Sequence, residues 1–333
     1  MKVYLTGAFS HRQRLMGHGE AAHHIYETMK KMGLDVKCKG EDFEGEPDIE
    51  ISFAHPYGYE FCYPNSYKIG YTAWESTELQ PFWVEPLNKV NEIWTPSEWV
   101  AHVFRQKMPH KPVHVYKHGV SQYWSPRKRN YDPETDVFRF LNIGEPYDRK
   151  DAQLVVDTFI ELYGDNPKFE LILKCSKLNR TNRTNKETGE LYSNIISYEN
   201  FFSSKEMKHL YHSAHAFVYP SWGEGFGLQP LEAIATGLPT ISTWSWADYH
   251  KYITLKIDST YEVSPWQYIH PGFMMRPDAK QFKLAMKYAP KKYEELSETA
   301  FKNSFDAHKE WDWTEVTKSA VDRLKEIYNS RIQ

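Results

Sequence analysis

The chain has 333 residues, 41% apolar and 26% charged, with a formal net charge of −3. It is long for one hydrophobic core and comfortable for two domains of about 150 residues each. The charge balance exerts no global pull toward nucleic acid or a membrane surface, and no apolar run approaches the about 18 residues of a spanning helix.

Cys38, Cys62 and Cys175 are odd in number and lack metal-ligand spacing. They read as reduced thiols of a cytoplasmic protein, and no signal peptide precedes the strand that opens at Lys2.

In chain order, Lys2 to Thr6 reads as a first strand, Gly7 to Gly19 as a polar loop, and Glu20 to Met32 as a helix closed by Gly33. A second strand begins at Val36. This βαβ opening suits a ligand at the strand's carboxyl end. The turn Gly17-His18-Gly19-Glu20 leads into the helix, where the amides of Gly17 and Gly19 can meet an anion. His23 and His24 read as helix surface or core. Asp48 to Phe53 and Tyr67 to Tyr71 are further strands, and the segment Thr72 to Thr77 after the second puts Glu75 at a strand's carboxyl end.

Glu92 to Thr95 is a strand, Pro96 to Lys107 a helix capped by Ser97, and Val113 to Tyr116 a strand ending in the turn Lys117-His118-Gly119-Val120. No acid lies between Trp99 and Tyr131, a span carrying Arg105, Lys107, Lys111, Lys117, Arg127, Lys128 and Arg129. That stripe is either a solvated linker face or an anion-attracting wall beside a cleft. Lys174 to Lys186 is a second acid-free patch.

Ser125 to Thr135 is the expected linker. Phe138 to Ile143 opens the second domain as a buried strand. After Gly144 to Lys150 comes an amphipathic helix from Ala152 to Tyr163, with Val155, Phe159 and Leu162 on its buried face and Gly164 as its stop. Glu170 to Lys174 and Ile195 to Tyr198 are strands. Ser203 and Glu206 form a capping box for a helix from Lys205 to Ser213.

The most informative stretch is Tyr219 to Pro239. A buried strand from Ala214 to Val218 precedes it, Glu224, Gly225 and Gly227 form a turn-rich loop, and a short helix from Leu231 to Thr236 starts near Pro230 and stops at Gly237. Strand, glycine loop and helix start is a geometry in which backbone N–H groups and the helix dipole face an anion. Glu224 and Glu232, with seven residues between them, would repel phosphates. They suit sugar hydroxyls, as hydrogen-bond acceptors. A nucleotide sugar supplies both parts.

Thr240 to Thr243 is the next strand, and Trp244 to Tyr249 an aromatic loop that either stacks on a ring or packs. Residues 255–275 read as irregular or short strands, Lys280 to Tyr288 and Pro290 to His308 as helices, and Thr314 to Ser330 as the last helix.

Glu224, the Gly225-Phe226-Gly227-Leu228 that follows, Pro230, Glu232-Ala233, Ala235, Gly237 and Pro239 resemble the signature of retaining nucleotide-sugar glycosyltransferases of family 4 type. That resemblance implies the α/β GT-B architecture: two Rossmann-like doubly wound domains facing a cleft, with a C-terminal helix crossing back to the first. The corresponding divisions are 1–124 for the acceptor side, 125–135 for the linker, 136–312 for the donor domain and 313–333 for the crossing helix.

The resemblance further implies that Glu224 contacts the transferred sugar, that Glu232 contacts the donor ribose, and that a glycine-rich loop at Gly17 and Gly19 approaches the phosphates or the acceptor. Relatives place an Arg directly after the glycine at 144 and a Lys some residues on, both gripping the diphosphate. Here Glu145 stands in the first position, Lys150 fits the second, and Arg149 substitutes for the missing Arg. Many relatives carry a histidine where this chain has Trp74 and Glu75, so Glu75 is the candidate acceptor-side group. The turn at His118 and Ser121 resembles the family's Asn-Gly-Val-Asp turn.

With no Asp-x-Asp motif, no metal or other cofactor is expected, and Arg149, Lys150 and amides answer the phosphate charge of a UDP- or GDP-sugar donor. The expected activity is transfer of a sugar, with retention, to a hydroxyl of a glycan or small molecule. The alternatives are transfer to hydroxymethylated bases in DNA, which the basic stripe favours, a non-catalytic nucleotide-sugar binder, and an epimerase or sugar-phosphate hydrolase.

Overall fold

The computed structural model describes residues 1–9, 17–42, 44–145, 147–175, 181–185 and 187–332. Residues 10–16 of the first loop, Pro146, and 176–180 and 186 of the second basic patch lie outside the described residues.

The first sheet is built from β1 (Lys2–Gly7), β2 (Asp35–Cys38), β3 (Ile49–Phe53), β4 (Tyr67–Tyr71), β5 (Glu92–Thr95) and β6 (Val113–Val115), in the order β2-β1-β3-β4-β5-β6. All its pairings are parallel. β3 and β5 are buried along their whole length, as strands covered on both faces must be. α1 (Gly17–Lys31), α2 (Val84–Lys89) and α3 (Glu98–Lys107) complete this half.

The second half repeats the plan. β7 (Phe138–Ile143), α4 (Ala152–Tyr163), β8 (Phe169–Lys174), β9 (Ile195–Tyr198), α5 (Ser204–Ser213), β10 (Ala216–Tyr219), α6 (Leu228–Ala235), β11 (Thr240–Thr243) and β12 (Leu255–Ile257) follow one another along the chain. Their sheet runs β12-β11-β10-β7-β8-β9, again all parallel. A hairpin of β13 (Ser259–Val263) and β14 (Phe273–Pro277) and the helices α7 (Ala279–Tyr288), α8 (Tyr293–Trp311) and α9 (Trp313–Ile332) end the chain.

The last helix belongs physically to the first domain. Ala320, Val321, Leu324 and Ile327 of α9 share one apolar core with Val3, Leu5, Ile49 and Ile51. Arg323 of α9 meets the fully buried Glu92 of β5 at 2.8 Å. The expected pair of doubly wound domains with a crossing helix is what the structure shows.

Local departures have local causes. α6 begins at Leu228, not Leu231, because Gly227 takes φ +80° as its N-cap. Pro230 then falls in the first turn, where its missing N–H costs nothing. Arg149 and Lys150 do not start α4: they sit in a separate short turn, Asp148–Lys150, and Asp151 at φ 50° caps α4 by accepting from Leu154 N at 3.2 Å. The expected loop through Gly19 ends earlier, since Gly17, His18 and Gly19 already form the first turn of α1. α2 has no counterpart in the sequence reading, and the β13–β14 hairpin falls largely on residues 255–275, which read only as irregular or short strands. α2 is six residues with a proline, and β13 is mostly exposed, so neither carries an apolar period.

The domains touch along a seam. Ser97 Oγ donates to Gly225 O at 2.8 Å, and Gln80 Nε2 donates to Ile269 O at 2.7 Å. Thr77 and Phe273 exchange hydrogen bonds at 3.1 and 2.9 Å, and Lys117 pairs with Asp248 at 3.4 Å.

Candidate active site

In each sheet the strand order reverses once, beside β1 in the first and beside β7 in the second. Open α/β sheets hold ligands at the carboxyl ends of the strands on either side of such a reversal. In the second sheet those strands are β7 and β10. The loop after β7 carries Arg149 and Lys150, and the loop after β10 carries Ser221 and Glu224.

These side chains converge. Glu224 Oε1 accepts from Arg149 Nη1 at 2.8 Å, Ser221 Oγ at 2.6 Å and Tyr219 OH at 2.9 Å, and lies 2.8 Å from Lys150 Nζ. Lys150 also bonds the Tyr219 hydroxyl. Arg149 reaches in two more directions, to Gly223 O at 2.7 Å and across the seam to Glu75 Oε1 at 3.2 Å. His270, from the β13–β14 hairpin, places Nδ1 3.4 Å from Glu75 Oε2.

Burial alone would push the Glu224 carboxyl up, yet Arg149 and Lys150 outweigh it and hold it at about 2. It is a carboxylate at any working pH. Lys150 moves down because it is desolvated, which Glu224 only partly offsets. His270, desolvated, falls to about 4 despite Glu75.

Glu232 stands apart, in the second turn of α6, where Oε2 accepts from Tyr211 OH at 2.8 Å. Burial raises its carboxyl to about 8, against the Tyr211 bond and with a further push from Glu20. The two glutamates of the motif are therefore in opposite states near neutral pH, which is the pattern of paired acids tuned by environment.

The glycines of the motif have distinct duties. A Cβ on Gly223 would lie 2.4 Å from Glu75 O, and one on Gly225 2.5 Å from Ala73 Cβ. Both therefore permit close approach of the two domains, whereas Gly227 and Gly237 are the motif glycines with positive φ, at +80° and +72°. Among the described residues no side chain caps α6, whose N-cap is Gly227, and uncapped first-turn amides can meet an anion.

Phe226 does not present its ring to a ligand. It is buried, with its centroid 5.0 Å from His118, 5.5 Å from Tyr249 and 5.8 Å from Trp311. Leu228 packs against both apolar cores at the seam. A Cβ on Gly17 would meet Leu228 Cδ1 at 3.8 Å, so the first turns of α1 and α6 abut. In the aromatic loop Trp246 packs, buried with Nε1 donating to Ser221 O at 3.0 Å, while Trp244 is exposed.

Most of the basic stripe is consumed inside the protein. Arg105 pairs with Glu98, Lys107 with Glu78, and Lys117 with Asp248. Lys111 donates to main-chain carbonyls of Asn88 and Val90. Arg129 is buried, donating to Thr236 O at 2.9 Å and Tyr211 O at 3.0 Å. Among the described residues no group of three or more His, Cys, Asp or Glu is arranged to hold a metal ion, and no helix is long and apolar enough to cross a membrane.

Sequence reading found Glu224, Glu75, Arg149 and Lys150, and the structure brings all four together. It passed over Tyr219 and Ser221 as ligands of Glu224, although both stand in the motif. His270 gave no signal, since only the hairpin's docking brings it to Glu75.

Residues 97–244 match the model of a family described as family 4 glycosyltransferases in conflict systems. The O-antigen chain mannosyltransferase RfbU of Salmonella typhimurium is 30% identical over 106 residues, covering 31% of this chain and 28% of that protein. The O-antigen chain mannosyltransferase B of Escherichia coli is 44% identical over 46 residues, covering 14% and 12%. The chain thus matches less than a third of either relative's length.

Sucrose-phosphate synthase of Thermosynechococcus elongatus superposes with a TM-score of 0.68 at 12% identity, over 99% of this chain and 100% of that one. HepE of Anabaena, crystallised with UDP and glucose, gives 0.66 at 10% identity, over 97% and 98%. At such identities the superpositions speak for the fold alone. Family signature, aligned relatives and fold agree: the chain has the GT-B architecture and is similar, over residues 97–244, to family 4 glycosyltransferases.

Proposed function

We propose that this protein moves a hexose, with retention and without a metal, from a UDP- or GDP-sugar to a hydroxyl of a glycan or small molecule. The observation that carries this is the convergence of Arg149 and Lys150 on Glu224 at the reversal point of the second sheet. A departing diphosphate needs cations in a dry site, and this loop pair supplies two next to a carboxylate suited to sugar hydroxyls. HepE, with the same fold, was crystallised with UDP and glucose, and two aligned relatives are mannosyltransferases. Both support a hexosyl nucleotide.

In the reaction, the acceptor oxygen bonds the anomeric carbon on the face that the diphosphate leaves. The C–O bond to phosphate breaks with its electron pair going to the diphosphate, and a phosphate oxygen takes the acceptor's proton. Arg149 and Lys150 neutralise the charge that builds there. Glu224 binds hydroxyls of the transferred sugar, Glu232 those of the donor ribose, and the amides at the start of α6 meet the phosphates. Glu75, tied to Arg149, sits on the acceptor side.

Thermal shift against a panel of nucleotide sugars tests the donor, since a ligand at 100 times its dissociation constant adds about 2.7 kcal/mol. Proton NMR of the product's anomeric centre tests retention. Donor hydrolysis present in the wild type and lost in Glu224→Ala distinguishes an enzyme from a binder. A flat panel overturns the proposal.

A further inference from the structure

The β13–β14 hairpin is a clasp across the domain seam. It is rooted in the second domain, where Met275 N donates to Trp222 O at 2.8 Å and the Arg276 guanidinium lies over the Trp222 ring at 5.4 Å. Trp266, between its strands, stacks on Tyr147 of the loop after β7 at 5.1 Å. The same connecting segment reaches the first domain. Gln80 Nε2 donates to Tyr268 O at 2.9 Å and to Ile269 O at 2.7 Å, and Thr77 Oγ1 accepts from Phe273 N at 2.9 Å. A Cβ on Gly272 would lie 2.6 Å from both Thr77 Oγ1 and Glu78 Cγ, so the approach needs a glycine. The loop that receives the hairpin is held by its own domain: Trp74 Nε1 donates to Glu78 O at 2.8 Å, and Lys107 pairs with Glu78 at 2.6 Å.

The clasp closes over the candidate active site. His270 packs on Trp74 of the first domain with ring centroids 4.5 Å apart, and its Nδ1 stands 3.4 Å from Glu75 Oε2. Glu75 in turn holds Arg149. A line of contacts thus runs from the hairpin through His270 and Glu75 to Arg149 and Glu224. The side chains of Glu75, Arg149, Lys150 and Glu224 are only 7–13% exposed. A diphosphate cannot reach charges so buried until the seam parts.

From this geometry we infer that the ligand-free protein is latched shut, and that undocking of the β13–β14 hairpin from Thr77 and Gln80 is the step that admits the donor. Because His270 rides on the hairpin, undocking also withdraws it from Glu75. The inference rests on the transferase reading above and adds a gate to the same site. Latching weakens binding in a defined way, since the apparent affinity is the intrinsic affinity scaled by the open fraction. The latch contacts are a few hydrogen bonds at exposed or half-buried positions, each of modest net strength. They can part on the microsecond-to-millisecond scale of lid motions.

Reversible cross-linking of the full chain tests it. In a Cys62→Ser background, which removes the exposed native thiol, Gln80→Cys and Tyr268→Cys are bridged by a bifunctional methanethiosulfonate. Tyr268 is 88% exposed, so its replacement disturbs little. The bridged protein should bind UDP and GDP at least tenfold more weakly by isothermal titration and recover on reduction. Gln80→Ala, which removes two latch bonds and adds no bridge, should raise the nucleotide association rate about fivefold, the scale of one well-made hydrogen bond. Amide exchange at Phe273 should quicken in the same variant. Failure of the pair to bridge, binding undiminished by the bridge, or an unchanged association rate in Gln80→Ala would each overturn the gate. The wild type separates the two readings. Binding of neither UDP nor GDP there sinks the transferase reading and the gate with it, whereas binding that ignores the bridge sinks the gate alone.

Discussion

Arg149 and Glu75 stand on different domains and meet at 3.2 Å, while the other arm of the same guanidinium holds Glu224 at 2.8 Å. One side chain therefore neutralises two carboxylates that are 13% and 7% exposed. Arg149→Ala should destabilise the protein by about 3–5 kcal/mol, because it strands buried charge. Calorimetry should show the lowered melting temperature. Arg149→Lys should rescue little of it, since an ammonium cannot fork to both partners.

The acid limb of stability should report Glu224. Its carboxyl lies at about 2 in the fold against an ordinary 4.5, so its contribution is present above pH 4.5 and drains as pH falls toward 2. The amount is roughly 3 kcal/mol. Urea titrations from pH 6 to pH 2 should show this loss in the wild type and a shallower one in Glu224→Gln.

Glu232 should act in the opposite sense. Its carboxyl sits at about 8, so it is protonated at pH 6 and ionised at pH 9. A carboxylate accepts two hydroxyl hydrogen bonds where the acid gives up one site to its own proton. Nucleotide affinity should therefore rise with pH through 8 in the wild type and stay flat in Glu232→Gln, the two being alike at pH 6. Isothermal titration at several pH values checks this.

Gly223→Ala should act as a wedge. The added methyl would lie 2.4 Å from the Glu75 carbonyl, and backbone there cannot yield without moving a domain. Overpacking of this kind costs about 1–3 kcal/mol. Small-angle scattering should show a more open particle, and turnover should fall at least tenfold while each domain stays folded by circular dichroism.

Much of this protein was legible in one dimension. Buried parallel strands read as apolar runs, the stop at Gly164 and the Ser203–Glu206 capping box are written in sequence, and a glycine-rich loop with two glutamates marks a ligand site because few other arrangements need those residues together. Local interactions settle such features, and the neighbours along the chain are enough to infer them. What each group does was decided elsewhere. Glu224 and Glu232 are the same residue type in one motif, yet opposite environments ionise one and protonate the other. Gly223 is a glycine on account of Glu75, which is distant along the chain and adjacent in space. His270 became a site residue only when a docked hairpin brought it there. Desolvation and Coulomb interactions depend on distance in three dimensions, and sequence spacing does not encode it.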